Sequence, residues 1–505
     1  MKPLLARTTL AALIGLNLVS CAVHDRATTT ITQGTVIRQV TVVDTRTGAL
    51  QASMAVVIDG GKIARILADA GLQVGGSARA VDGKGKFLVP GYLDMHTHAL
   101  LQANRSPSPW PTMLAHGITG VREMSGSVEL MALSRRLNAE RAAGRLDAPE
   151  ILQVPGDLFV NPMLAPDAAA QLVRDQKAQG ASFIKFIVAS RPTTLAVLAE
   201  ARAQGLGVAG HLPLAITATE AATAGWRAIE HFGAGMGVLL DCAADAPAIR
   251  AALQRGEGAR PPFPPTAITS PMLYRALDAP FYQRILDSQD AAKCDAVAQA
   301  FARHQTWQVP TLIRLRSMYF SDDAAYRNDP NLKYVDKTTR ALWEQLAQQY
   351  AANVPPAAAA SFRRYYAAQQ HLVGVMKRQG VKMLAGSDLG GIWVIPGVGL
   401  HQEFRELAAA GLTPLEVLQS TSLNGAEFLG RLDTMGTVEA GKNADLVLLD
   451  ANPLLDVANL GKIAAVVLNG KLLTKQDLER QTQAVASANA AQAVGPLSAA
   501  LGHTH

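Results

Sequence analysis

The sequence is poor in cysteine, in runs of one charge and in long apolar stretches. Three cysteines in 505 residues exclude a fold held by a disulfide framework. Beyond Cys21 there are Cys242 and Cys294. Either they pair, closing a loop worth about 3 to 4 kcal/mol, or they lie as two isolated thiols, and spacing along the chain leaves both readings open. The 47 Lys and Arg and the 41 Asp and Glu are scattered. No basic stripe suits a phosphate backbone, which excludes nucleic-acid binding as a function class. The apolar run near the start, from Leu10 to Val19, is too short to cross a bilayer. What is abundant is apolar surface: 49% of residues are hydrophobic and 17% charged. That is enough for one very large core or two to three ordinary ones, and it excludes disorder for most of the chain.

Lys2 and Arg7 ahead of the Leu10 to Val19 run read as an export signal. Leu18-Val19-Ser20-Cys21 resembles the lipobox of bacterial lipoproteins, which implies a signal peptide over 1–21 and a lipidated Cys21 that attaches the protein to a membrane. Ala22 follows the cysteine, and in such lipoproteins the absence of Asp there implies the periplasmic side of the outer membrane. An ordinary secretory signal, giving a soluble periplasmic protein, is the alternative.

From Thr28 to Ala80 the residues alternate like half-buried strands, and Asp59-Gly60-Gly61-Lys62 marks a hairpin turn. The same texture returns in Gly436-Thr437-Val438, Ala444 to Asp450 and Ala464 to Lys471. Residues 28–86 and 431–475 are therefore expected to share one small β-sandwich domain. Between them, over 87–430, short apolar runs alternate with helical segments, the pattern of parallel βα units. Eight strands are expected near Phe87 to His96, Gly117 to Glu123, Ile151 to Val154, Phe183 to Val188, Gly207 to His211, Ala228 to His231, Thr306 to Thr311 and Lys382 to Asp388. The fold class is thus α/β, a (β/α)8 TIM barrel with a β-sandwich built from both chain ends. A partly helical insertion with a proline elbow at Arg260 to Pro265 fills about 234–305, and a second excursion runs from Arg314 to Ala360. Both belong at the C-terminal mouth of a barrel, where loops cover the site. Residues 476–505, rich in Ala and Gln, are expected to form a flexible tail in which His503 and His505 are solvated.

The sharpest chemical feature is Pro90-Gly91-Tyr92-Leu93-Asp94-Met95-His96-Thr97-His98. Side chains two apart on a strand share a side, so His96 and His98 can converge on one divalent ion. His211, His231 and Asp388 close other predicted strands, where a barrel puts its catalytic groups. Any one of them alone reads as a core or surface residue; agreement among several strand ends reverses that reading. Lys185 stands inside the apolar run Ala181 to Val188. A buried ammonium must find a carboxylate, lose its proton or be chemically converted.

The order His-x-His, Lys, His, His, Asp resembles the amidohydrolase superfamily. The phrases Gly117-Ile118-Thr119-Gly120-Val121-Arg122-Glu123, Gly210-His211-Leu212-Pro213, Ala385-Gly386-Ser387-Asp388 and Gly436 to Leu446 are similar to its imidazolonepropionase-like and prolidase-like branch. The resemblance implies two divalent ions, zinc by donor type. His96, His98 and Asp388 would hold one, His211 and His231 the other, with carboxylated Lys185 bridging them. It further implies cleavage of an amide bond in a small substrate, such as a dipeptide or N-acyl amino acid, by a hydroxide shared between the ions, with Asp388 as proton shuttle. Arg191 is a candidate for the substrate carboxylate, with Arg314 and Tyr319 as weaker ones. The chain departs from the family in having Glu123 where Asp is common, and Ala189-Ser190-Arg191-Pro192 where a glycine-rich stretch is common. A one-metal cyclic-amide hydrolase or deaminase, and a non-catalytic binding lipoprotein, are the alternatives. The sequence leaves the oligomeric state open, a homo-oligomer included.

Overall fold

The computed structural model describes residues 29–258 and 269–497. The signal peptide, Cys21, the proline elbow, His503 and His505 lie outside the described residues.

The chain opens with β1 (Thr29–Ile31), β2 (Thr35–Val43), β3 (Leu50–Asp59), β4 (Lys62–Ala68), β5 (Leu72–Val74), β6 (Arg79–Asp82) and β7 (Phe87–Pro90). The expected hairpin joins β3 to β4 with Asp59 opposite Lys62. Gly60 and Gly61 take φ of 54° and 76°, which a tight turn between twisted strands requires. Then come β8 (Tyr92–Thr97), β9 (Ile118–Glu123), β10 (Glu150–Gln153), β11 (Ile184–Phe186), β12 (Val208–Gly210), β13 (Ala228–Glu230) and β14 (Trp307–Val309). The chain returns through β15 (Leu446–Leu449), β16 (Ile463–Leu468) and β17 (Lys471–Thr474).

Both chain ends share one sheet in the order β17-β16-β15-β7-β2-β3-β4, with β6 beside β2 and β1 paired with β5 apart from it. Ile37, Val56, Ile58 and Leu88 from the first part pack in one cluster with Leu446, Leu448 and Val467 from the last. The run expected as the first barrel strand divides at Gly91. Phe87–Pro90 pairs with β15 and β2, while Tyr92–Thr97 pairs with β9. The break falls at a residue that must be glycine, since a Cβ at residue 91 would stand 2.0 Å from Thr119 Oγ1.

The remaining strands run parallel in two arcs, β10-β9-β8 and β11-β12-β13-β14. Isolated contacts connect them: Phe159 bridges to Phe186 on one side. On the other, Lys382–Asp388 forms no named strand but lies between β14 and β8. Leu384 N–H donates to Gln308 O at 2.9 Å, Met95 N–H to Ala385 O at 2.9 Å, and Asp388 N–H to His96 O at 2.8 Å. Inside the arcs Leu93, Met95, Phe183, Ala209, Ala228, Trp307 and Leu384 pack together. Outside, Ile184, Phe186, Val208 and Ile229 face the helices.

The insertion is helical, with helices Gly237–Asp241, Ala246–Gln254, Ala279–Asp287 and Ala291–His304. Cys242 and Cys294 are bonded across it. Within the expected flexible tail, residues up to 491 are corrected: Lys475–Ala491 is a helix, opened by a capping box of Thr474 and Asp477. Its buried Leu478, Thr482, Val485 and Asn489 recur on one face, and it packs against the helix Trp110–Ala115. Among the described residues no helix is long and apolar enough to cross a membrane.

Candidate active site

β8 carries His96 and leads directly to His98, β13 leads to His231, and the segment after Met383 ends at Asp388. These side chains meet. One ligand atom each from His96, His231 and Asp388 lies within 4.8 Å of the others. Asp388 Oδ1 stands 3.3 Å from His96 Nε2 and 3.1 Å from His98 Nε2, and Asp388 Oδ2 lies 3.7 Å from His231 Nε2. The rings of His211 and His231 are 5.2 Å apart.

Each of three imidazoles is tied by its Nδ1, which turns Nε2 inward. His96 Nδ1–H donates to Glu230 Oε2 at 2.7 Å. His98 Nδ1 pairs with Ser125 Oγ at 2.6 Å. His231 Nδ1 pairs with Thr311 Oγ1, whose own hydroxyl donates to Pro310 O. Fixing one nitrogen sets the tautomer and leaves the other lone pair free for a cation. The residues fit such an ion: His96 Nε2 and Asp388 Oδ1 are buried with no hydrogen-bond partner among the described residues. Two donors at zinc distances in a tetrahedron are about 3.3 Å apart, close to the separations found.

The backbone at the site is strained. His231, Thr311 and Asp388 have φ of 54°, 44° and 54°, left-handed values that a non-glycine residue adopts at a cost. The outcome is that successive strand ends turn their side chains into one space.

Lys185, in β11, stands two residues from the inward Phe183 and pairs in register with Ala209. It is 2% exposed, and among the described residues no carboxylate lies within ion-pair distance of its amine. Burial, only partly offset by Glu230 and Asp388, brings its pKa down to about 8. Burial and the nearby Lys185 push the His211 imidazole down to about 3, so it is neutral, the form that can coordinate. Glu230 is also buried, but Arg122 and His96 hold its carboxyl down to about 2. Its other oxygen accepts from Arg122 Nη2.

The structure does not bring Arg191 into this cluster. The residue is exposed at the first turn of the helix Arg191–Ala203, paired with Glu220. Arg314, from the helix Leu312–Tyr319, reaches the site instead: its Nε–H donates to Asp388 Oδ2 at 2.9 Å. Tyr319 is buried on the same helix against Tyr274, with ring centroids 4.4 Å apart. Reading the sequence missed the supporting residues Arg122, Ser125, Glu230 and Thr311. The first and third carried a usable signal, since each is a charge inside an apolar strand, as Lys185 is. Glu123 is no ligand: its carboxylate accepts the backbone N–H of Leu100 at 2.8 Å and of Ser125 at 2.9 Å. It thereby shapes the loop after His98.

Comparison with known proteins agrees with this geometry. The model of the amidohydrolase family matches residues 338–473. An imidazolonepropionase of Shouchella clausii is 43% identical over 81 residues, which is 14% of this chain and 18% of that protein. The match therefore spans less than a fifth of that relative's length. Among solved structures, a bottromycin amidohydrolase superposes with a TM-score of 0.66 at 20% identity, covering 92% of this chain and 93% of the other. A prolidase solved with N-methylphosphonate-L-proline gives a TM-score of 0.58 at 22% identity, covering 87% and 99%. Residues 338–473 thus resemble the amidohydrolase family, and the described chain has the TIM-barrel-like α/β fold of those solved structures, with gathered histidines and an aspartate that could hold a metal ion.

Proposed function

We propose that the protein is a two-metal hydrolase that cleaves an amide bond in a small peptide or N-acyl amino acid, at the mouth of an eight-stranded barrel. The observation that carries this reading is the convergence of His96, His231 and Asp388 within 4.8 Å, beside a buried Lys185 that has no paired acid among the described residues. His96, His98 and Asp388 would hold one cation and His211 and His231 the other. Lys185 would bridge them as a carbamate, formed when its neutral amine adds to carbon dioxide and releases a proton. When bound, such ions, zinc by donor type, acidify a water and polarise the substrate carbonyl.

The chain's own residues do the rest. Glu230, Ser125 and Thr311 keep the three imidazoles oriented. Asp388 is pinned through Oδ2 by Arg314, so Oδ1 faces the reacting atoms. A proton taken up at Asp388 passes to the departing amine, which leaves neutral. The buried walls exclude bulk water and strengthen each of these contacts. The prolidase and bottromycin amidohydrolase likenesses favour a peptide-type amide.

The imidazolonepropionase likeness, with one tight three-residue group, supports a second reading: a one-metal hydrolase of cyclic amides. Metal analysis combined with a screen of dipeptides, N-acyl amino acids and cyclic amides separates the two. Near two ions per chain with turnover of linear amides is the expected result. A metal-loaded protein that hydrolyses nothing in the screen overturns the proposal. We also propose export and lipid attachment through Cys21, tested by lipid labelling that Cys21→Ala abolishes.

A further inference from the structure

Arg122 lies on β9, fully buried, and belongs to no ligand set proposed above. Its neighbour Val121 packs outward with the helices, so Arg122 points into the barrel. There its guanidinium carbon stands 5.1 Å from the ring centre of Phe183 and 5.1 Å from that of Phe428. Nε–H donates to Met124 Sδ at 3.3 Å, and Nη2–H to Glu230 Oε1. Two rings fix the plane and one carboxylate takes the end of the fork, which leaves the side chain a single place to lie.

Glu230 uses its other oxygen for His96, whose Nδ1–H it accepts at 2.7 Å. Arg122, Glu230 and His96 thus form a file across β9, β13 and β8, all three fully buried. The file ends at His96 Nε2, which stands 3.3 Å from Asp388 Oδ1. An ion pair drawn out of water contributes little net stability, because desolvation offsets the attraction. Arg122 Nη1 also has no hydrogen-bond partner among the described residues, which makes its burial costlier still. Packing alone is served by apolar side chains, and Leu93, Met95, Ala228 and Leu384 already line this interior. What the pair supplies is direction. A carboxylate tied at one oxygen cannot rotate away from the imidazole it holds with the other, and an imidazole held at Nδ1 presents Nε2 along a fixed line.

We infer that Arg122 is a positioning residue for the metal centre: it locks the Glu230 carboxylate, and through Glu230 it sets the ring angle and tautomer of His96. The inference rests on the metal-hydrolase reading above and extends the support of that site to a side chain outside the ligand set. It also ties the site to the helix Leu423–Phe428, whose last residue closes over the guanidinium.

The test measures zinc binding to the full chain, stripped of metal and titrated against a chromophoric chelator. Wild type should bind near two ions. Arg122→Met keeps most of the volume between the rings and removes the charge, and its zinc affinity should fall about ten- to a hundredfold. Arg122→Lys, a cation without the flat fork, should fall between that variant and wild type. Glu230→Gln should lose a factor similar to Arg122→Met. The double variant Arg122→Met, Glu230→Gln leaves neither partner as an unpaired charge and should bind zinc within about threefold of the weaker single variant, because both changes undo one contact. Thermal melts of the metal-free proteins check that each folds. Losses that multiply in the double variant overturn the inference, as does wild-type affinity in folded Arg122→Met. If Arg122→Met fails to fold, Arg122→Lys decides, and an affinity equal to wild type overturns the inference. A wild type that binds no zinc overturns the metal reading along with it, whereas two ions held equally by wild type and variants remove Arg122 from the centre and leave that reading standing.

Discussion

Arg314 donates its Nε–H to Asp388 Oδ2 at 2.9 Å, both side chains being almost fully buried. The contact leaves Asp388 Oδ1 facing the imidazoles, with no hydrogen bond of its own among the described residues. A hydrogen bond to a charged group is worth roughly 1.5 to 3 kcal/mol. Arg314→Met should therefore lower kcat about ten- to a hundredfold while the metal content holds, with Arg314→Lys recovering part of the loss. Asp388→Asn should cost about two orders of magnitude or more at full metal occupancy, the usual size of a proton-transfer contribution. Near-normal kcat in either variant removes the corresponding role.

Lys185 is buried among strands, with no carboxylate partner among the described residues. If its amine is converted to a bridging carbamate, Lys185→Ala should take the metal count from near two per chain to one or fewer, with activity lost in parallel. Elemental analysis of the dialysed variant reads this directly. Two ions retained would show that the lysine does not bridge.

Glu403, buried on the helix Val398–Ala409, reaches the start of the helix that carries Arg314, where its carboxylate accepts the Ile313 N–H at 2.8 Å. Burial, opposed by the N–H groups of Ile313 and Leu312, raises its pKa from 4.5 to about 8. The folded state thus keeps a proton that the unfolded chain has lost, so this residue's contribution to stability falls as pH rises from about 4.5 to about 8. Glu403→Gln keeps an oxygen for the Ile313 N–H and cannot ionise. Denaturant melts should show a flatter pH dependence in this window for the variant, with a gain on the order of a few kcal/mol near pH 8. Parallel pH curves for wild type and variant would refute the assignment.

Cys242 and Cys294 close a loop across a sequence separation of 52 within the helical insertion. Loop entropy assigns such a bond about 4 kcal/mol. Cys242→Ala with Cys294→Ala should lower the unfolding midpoint of oxidised protein and make it insensitive to reductant. An oxidised wild type no more stable than the double variant would exclude the bond from the stability of the fold.

Much of the site was legible because its residues end strands or interrupt apolar runs. His96 and His98 stand two apart, Lys185 breaks an apolar stretch, and His211, His231 and Asp388 each close one. Their supporting partners were not legible, because they arrive from distant strands: Glu230 reaches back to His96 across 134 residues. Arg191 misled because closeness in sequence says nothing of direction. Ser190 caps the helix at Thr193, and the first-turn arginine then points to Glu220. The apolar run that starts at Phe87 continues through Gly91, which hides that Phe87–Pro90 pairs with β15 and β2 while Tyr92–Thr97 pairs with β9. The C-terminal helix was hidden by composition: its Ala and Gln content masked a buried stripe at Leu478, Thr482, Val485 and Asn489.

The pairing of β7 with β15 sets Leu88 opposite Leu448. During synthesis β7 emerges early, and its hydrogen-bonding edge stays bare until nearly the whole polypeptide has left the ribosome. An open edge of this kind invites pairing with other chains. Premature termination or proteolytic clipping ahead of Leu446 would make that exposure permanent, turning a folding delay into a route to aggregation.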